Sequence, residues 1–384
     1  MLKNVKMKRV LKGTIFKVVS IINLIIPKND NIVLLYSSNR GIHNNLFALK
    51  QYILTKHYDD KYKICCGIEN IKYADKDKKR VAYYTKLKSI FVFLRARHVF
   101  YSTGQIPIKP SNKQIVIHLD HGAATYKKCG ALSKINNGDE FFFTYYLAPS
   151  ELYIPIVEKT FLCSKKNIVV CGEAVTDTFY RKNVKYDLGS FSKIILWAPT
   201  FRQSDYYGYD DSSEELIPMF NREEYCDLNI ELKKHNFKLI VKLHPGQDLN
   251  GYDNLKLSNL TILSDEDFIK QKYDLYKLLL QIDCMIADYS SIYLQFLLLD
   301  RPIAFVIPDF DEYEERRGCV FDNPQYYMPG EHIVTKQQLY EVFDKWDKGI
   351  DEHKTWRNEI RNLIHKYQDG NNAKRAIELS DMHI

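Results

Sequence analysis

Five short runs in this chain carry an apolar stretch straight into residues that hold anions or move protons. They are His118-Leu119-Asp120-His121-Gly122, Ala198-Pro199-Thr200-Phe201-Arg202, Lys242-Leu243-His244-Pro245-Gly246, Ala287-Asp288-Tyr289-Ser290-Ser291, and the acidic-to-basic run from Ile307 to Gly318. An imidazole near its ordinary pKa accepts a hydroxyl proton at neutral pH, so His121 is a candidate general base. His244 is the second candidate, with Pro245 fixing the backbone just after it. His118 faces the other side of a regular strand from His121 and is expected to be structural. The Arg202 guanidinium suits the non-bridging oxygens of a diphosphate, where charge develops as a phosphate leaves. Arg316 and Arg317 carry the same group inside an acidic run, where surface pairing competes for it. Asp288, Ser290 and Ser291 stand where an apolar strand turns into a helix whose apolar face is Ile292, Leu294, Phe296, Leu297 and Leu298. Unpaired N–H groups, two hydroxyls and the helix dipole favour a phosphate there; the plainer reading is that these residues only cap the helix.

The runs need a scaffold that brings them to one edge. Candidate strands at 31–38, 62–68, 80–84, 98–104, 114–122 and 167–173 form one set, and those at 193–201, 238–246, 260–264, 284–291 and 302–309 a second. They are apolar with little alternation and are separated by amphipathic segments at 44–56, 150–162, 220–236 and 291–300, which predicts parallel strands buried on both faces. The fold class is therefore α/β, with two domains meeting near 183–192, where the chain is polar and carries Gly189. Residues 29–187 form the first domain and 188–384 the second. A helix from His353 to Tyr367 ends at Asp369-Gly370. In doubly wound sheets ligands bind outside the carboxyl ends of the strands, where all five runs fall.

The chain has 384 residues and a formal charge of +7, unevenly placed. Seven basic residues precede the first acidic one, Asp30, and from Asp30 onward the chain holds 48 basic and 48 acidic residues. A neutral body with a basic start argues against nucleic acid, which needs positive charge spread over a folded face. Thr14–Ile26 is apolar but too short to span a bilayer, and no small-residue cleavage site precedes Pro27. Val10, Leu11, Ile15, Val18, Val19, Ile22, Ile25 and Ile26 recur at helical spacing, so residues 1–28 are expected to form an amphipathic helical arm lying on an anionic membrane surface, with packing onto the protein's own core as the alternative. The eight cysteines show no metal-ligand spacing and sit in apolar runs, which predicts reduced thiols without disulfides. Phosphate-loop, dinucleotide, zincin and serine-hydrolase signatures are absent.

At these residues the sequence resembles the CDP-glycerol glycerophosphotransferase family, the teichoic-acid type glycerol and ribitol phosphate primases and polymerases. The stretch from Asp288 to Asp322, with Asp-Tyr-Ser-Ser, a leucine-rich helix and Asp300-Arg301-Pro302, is similar to the family's most specific motif; APTFR, KLHPG and the HG of LDHG follow its other motifs in order. The resemblance covers about Asn31 to Gln368. It implies a GT-B-like fold of two Rossmann-type domains with the donor mainly on the second, and no metal or other cofactor. It also implies transfer of glycerol phosphate, or a related alditol phosphate, from CDP-glycerol or CDP-ribitol to a hydroxyl of a polyprenyl-linked or glycan acceptor, releasing CMP, at the cytoplasmic face of the membrane. Carried over residue by residue, it gives His121 as base, His244 and Arg202 on the diphosphate and leaving CMP, and Ser290 and Ser291 on phosphate; Asp288 and Arg317, in the same runs, are the further donor-site candidates. The chain departs from the family in HGAATYKKCG, where the family has Thr-Pro-Leu after HG, and at Arg316, where the family has Glu. Two other functions fit the same fold: a GT-B glycosyltransferase using a nucleotide sugar, and a nucleotide-binding scaffold without turnover.

Overall fold

The computed structural model describes residues 5–38, 41–120, 125–134, 140–181, 185–204, 209–211, 215–247 and 257–384. The first sheet comprises β1 (Asn29–Tyr36), β2 (Lys63–Ile68), β3 (Val81–Thr85), β4 (Ala96–Tyr101), β5 (Ile115–His118), β6 (Tyr145–Ala148) and β7 (Ile168–Val170), in the order β3-β2-β1-β4-β5-β6-β7. The second contains β8 (Lys193–Trp197), then, beyond the small hairpin β9 (Gln203–Ser204) and β10 (Tyr209–Asp210), β11 (Phe237–Lys242), β12 (Leu260–Leu263), β13 (Cys284–Ala287), β14 (Ile303–Val306) and β15 (Glu331–Ile333). Its order is β12-β11-β8-β13-β14-β15. Every pairing within the two large sheets is parallel. Both orders reverse direction once, at β1/β4 and at β8/β13, and these switch points open the crevices in which doubly wound sheets bind ligands.

Strand alternation explains why each sheet is buried on both faces. Val33 and Leu35 of β1 enter one apolar cluster while Leu34 and Tyr36 enter another. Met285 and Ala287 of β13 likewise point away from Cys284 and Ile286. The sequence reading missed β6 and β15, which are only four and three residues long. It also ran several strands into the loops that follow, since β8 stops at Trp197 and β13 at Ala287.

Two segments cross the expected boundaries. The helix Asn372–Leu379 leaves the second domain and packs Ala373, Ala376 and Ile377 into the core of the first. Its start is held by the buried Asp177, whose carboxylate accepts from the Asn372 and Ala373 N–H groups at 2.9 Å each. At the other end of the chain, the expected helix runs from Val5 to Ile25 and lays part of its apolar stripe on the first domain. Phe16 and Val19 pack against the β1/β4 face, and the buried Asn23 donates to Lys109 O at 3.0 Å and Gln114 Oε1 at 2.7 Å. The apolar stripe thus divides, with Val19 turned inward and Ile15, Val18, Ile22 and Ile25 exposed. Among the described residues no helix is long and apolar enough to cross a membrane. All eight cysteines are free thiols.

Because two N–H groups at a helix start converge on one buried carboxylate, Asp177→Ala is expected to lower stability by about 1–3 kcal/mol. Urea unfolding measures it, and an unchanged midpoint would mean that apolar packing alone holds this helix.

Candidate active site

The chain leaving β8 and the chain leaving β13 meet at the switch point through one carboxylate. Asp288 is wholly buried and accepts from Thr200 N–H at 2.8 Å, Thr200 Oγ1 at 2.9 Å and Ser290 N–H at 2.9 Å. It is also paired with Arg202 Nη1. The same guanidinium reaches the chain leaving β14, with Nε and Nη2 donating to Asp309 at 3.1 and 3.2 Å, while Nη1 also donates to Thr200 O at 2.8 Å. Asp309 in turn accepts from Tyr289 Oη at 2.9 Å, and Tyr289 stacks on Tyr313 with ring centroids 3.8 Å apart. Arg202 is therefore clasped between two carboxylates at 2% exposure, a position for aligning three strand ends and not for reaching out to a ligand.

Around this buried knot stand groups nearer the surface. Ser290 and Ser291 are half-exposed at the start of the helix Ile292–Phe296. The free N–H groups expected there are partly engaged, since Ser290 N–H serves Asp288 and Ser291 Oγ accepts from Tyr126 N–H at 3.3 Å. His244 Nδ1 accepts from Gly246 N–H at 3.0 Å, so in the neutral ring the proton resides on Nε2. Its imidazole lies 4.7 Å from the Phe201 ring, and the Arg317 guanidinium lies 6.0 Å from that ring while pairing with Asp211 at 3.5 Å. Arg316 makes an exposed pair with Glu312 at 2.9 Å, as its acidic surroundings suggested.

His121 lies outside the described residues, but the position from which the chain enters it is fixed. Asp120 has φ +53°, the left-handed region, and every polar group it carries is held. Its carbonyl accepts from Ser102 Oγ at 2.9 Å and Asn45 Nδ2 at 3.1 Å, its N–H donates to His118 Nδ1 at 3.2 Å, and its carboxylate accepts from Tyr146 Oη. His118 stacks on Tyr146 at 5.2 Å in the buried interior, the structural part expected of it. When the chain is next described it has reached the second domain. Val320 N–H donates to Tyr126 O at 3.0 Å, Lys128 N–H donates to Gly318 O at 3.0 Å, and Lys127 bridges Cys319. Gly318, at φ +77°, supplies the turn out of the helix Phe310–Arg316 that a side-chain-bearing residue adopts only with strain.

Sequence reasoning had missed Thr200, Tyr289, Asp309 and this Tyr126–Lys128 crossing. Asp309 was legible in one respect, because it follows an apolar strand as Asp288 does. Removing one partner of a buried ion pair strands the other charge, so Asp309→Ala is expected to cost about 3–5 kcal/mol, against less than about 0.5 kcal/mol for Arg316→Ala. Equal urea midpoints for the two variants would mean that the Arg202 clasp is solvated.

The sequence profile of the CDP-Glycerol:Poly(glycerophosphate) glycerophosphotransferase family matches residues 18–379. The teichoic acid glycerol-phosphate primase of Bacillus subtilis (strain 168) is 31% identical over 243 residues, 58% of this chain and 58% of the primase, so the match spans little more than half of that relative. The teichoic acid poly(glycerol phosphate) polymerase of Bacillus spizizenii (strain ATCC 23059 / NRRL B-14472 / W23) is 23% identical over 371 residues, covering 88% of this chain and 89% of the polymerase. Among solved structures, the wall teichoic acid polymerase TagF superposes with a TM-score of 0.71 at 17% identity, over 99% of this chain and 98% of that one, which supports the two-domain fold. With residues 18–379 of its 384 matched by the family profile, the chain belongs to the CDP-glycerol:poly(glycerophosphate) glycerophosphotransferase family.

Proposed function

We propose that this chain transfers an alditol phosphate, glycerol phosphate first among them, from its CDP-activated form to a hydroxyl of a lipid-linked or glycan acceptor at an anionic membrane surface. The observation that carries this reading is the knot at the β8/β13 switch point with His244, Ser290 and Arg317 around it, adjoining the chain that leaves His121. In the transfer, the acceptor oxygen bonds to the alditol-bearing phosphorus as the bond from that phosphorus to the CMP phosphate breaks. The hydroxyl proton passes to His121, and Nε2–H of His244 donates to the departing oxygen of CMP. Ser290, Ser291 and Arg317 hold the phosphates, while Arg202 and Asp288 position the loops that carry them.

The membrane part of the proposal rests on two helices of the first domain. Ile25 (81% exposed) on the docked helix Val5–Ile25, and Leu87 (74%) and Phe91 (72%) on the helix Lys86–Arg95, are among the most exposed large apolar residues described. The two helices flank the same core cluster, and Lys28 Nζ ties them by donating to Leu94 O at 2.7 Å. Exposed aliphatic and aromatic side chains beside lysines match the interface of an anionic bilayer.

His121→Ala is expected to lose roughly 10²- to 10⁴-fold in CMP release from CDP-glycerol while keeping donor affinity; His244→Ala should lose both turnover and affinity. Calorimetry beside a CMP assay separates them, and release of a nucleoside diphosphate from a nucleotide sugar would transfer the reading to a glycosyltransferase. On the membrane side, Ile22→Glu combined with Phe91→Glu should reduce co-sedimentation with anionic vesicles at unchanged melting temperature, as should high salt. Undiminished sedimentation would remove the membrane surface from the proposal.

A further inference from the structure

Lys127 has no part in the reaction as derived above, yet its ammonium occupies the same place as the groups that do. It sits at the centre of the bridge by which the first domain's chain joins Cys319 of the second. Its Nζ lies 5.8 Å from the centroid of the Phe201 ring, the ring also approached by Arg317 at 6.0 Å and His244 at 4.7 Å. The nearby carboxylates are engaged elsewhere: Asp288 and Asp309 clasp Arg202, and Asp211 pairs with Arg317 at 3.5 Å. Among the described residues, none lies within ion-pair distance of Lys127. A half-buried ammonium without a counter-ion gains most from a ligand that brings negative charge with it.

We propose that Lys127 is a donor-binding residue, placing its ammonium on the diphosphate of the donor from the first domain while Ser290 and Arg317 hold it from the second. This rests on the donor named under Proposed function. It makes the site complete only when the two domains are joined at Tyr126–Lys128, and it places on one segment both the candidate base His121 and a cation for the phosphates. Burial, and next the charge of Arg317, push the Lys127 pKa down to about 8, with Arg202 adding to the fall and Asp288 and Asp211 opposing it. The other groups facing the segment are His244 across Phe201, Cys129, whose thiol burial pushes up to about 11, and Glu314, which accepts from Cys319 N–H at 2.9 Å. Below about pH 8 the free protein presents the charged amine, and above it the neutral one. Affinity for a diphosphate is thus greatest on the acid side and falls as pH rises.

The test is calorimetry of wild type, Lys127→Met and Lys127→Arg with CDP-glycerol, cytidine and inorganic pyrophosphate at pH 7 and pH 9, with melting temperatures as a check on folding. Lys127→Met should bind CDP-glycerol and pyrophosphate about 10- to 100-fold more weakly at pH 7 and cytidine unchanged. Lys127→Arg should restore binding and remove the fall toward pH 9. Equal CDP-glycerol and pyrophosphate affinities in wild type and Lys127→Met would overturn the proposal, as would an equal loss for cytidine, which marks a merely structural lysine. If wild type binds pyrophosphate in a Lys127-dependent way and does not bind CDP-glycerol, the anion site stands and the donor named above is wrong.

Discussion

The guanidinium of Arg202, enclosed between Asp288 and Asp309, is the constraint on which the rest of the site depends. Three loops leave three neighbouring strands, and nothing in strand pairing dictates how they lie relative to one another once the ladder ends. A single planar cation with donors in a fixed fork does dictate it, because each carboxylate accepts along a defined direction. Such a buried cluster adds little to stability relative to apolar packing of the same volume, since desolvation offsets most of the attraction. What it adds is geometry. Asp288 fixes Thr200 and Ser290, Asp309 fixes Tyr289, and the Tyr289–Tyr313 stack carries the alignment to the helix that ends beside Arg317.

The same loops decide how the two domains meet. Tyr126 lies against Tyr293 at 5.9 Å and Phe321 at 6.0 Å, and Tyr153 reaches Phe321 at 6.0 Å, so one apolar cluster runs from the first sheet into the second. Aromatic rings in edge-on contact resist sliding, and the backbone bonds at Gly318 and Val320 fix the register. The return of the helix Asn372–Leu379 onto the first core adds a second connection, distant in sequence from the first. A hinge motion between the domains has to break the Tyr126–Lys128 bridge or carry it along.

Much of this was legible in the sequence because burial on both faces leaves a strong mark. Stretches such as Ile32–Tyr36 and Leu239–Val241 are apolar without the alternation of a half-exposed strand, as strands covered on both sides require, and the polar residues that follow them mark the carboxyl edge. Less legible was which polar residues face ligand and which face each other. A carboxylate after an apolar strand looks the same in sequence whether it is open to a cleft or, like Asp288, filled by Thr200, Ser290 and Arg202 from segments up to 88 residues away. Which face of the helix Val5–Ile25 packs was illegible for a related reason: Val18 and Val19 are chemically alike, and only the position of the first sheet turns one outward and the other in. β15 was invisible because Glu331-His332-Ile333 is too short and too polar to carry a pattern.

Burial therefore sorts the site into two layers with different work. The inner layer of Arg202, Asp288 and Asp309 carries one net negative charge and has its donors and acceptors turned upon one another. It cannot attract a diphosphate, and by itself would repel one. The outer layer of His244, Ser290, Arg317 and Lys127 is nearer to solvent and contains two cations, of which Arg317 is paired with Asp211. In the proposed reading, an anion at the switch point meets donors that are already fixed, because the inner layer has ordered the loops on which the outer groups stand.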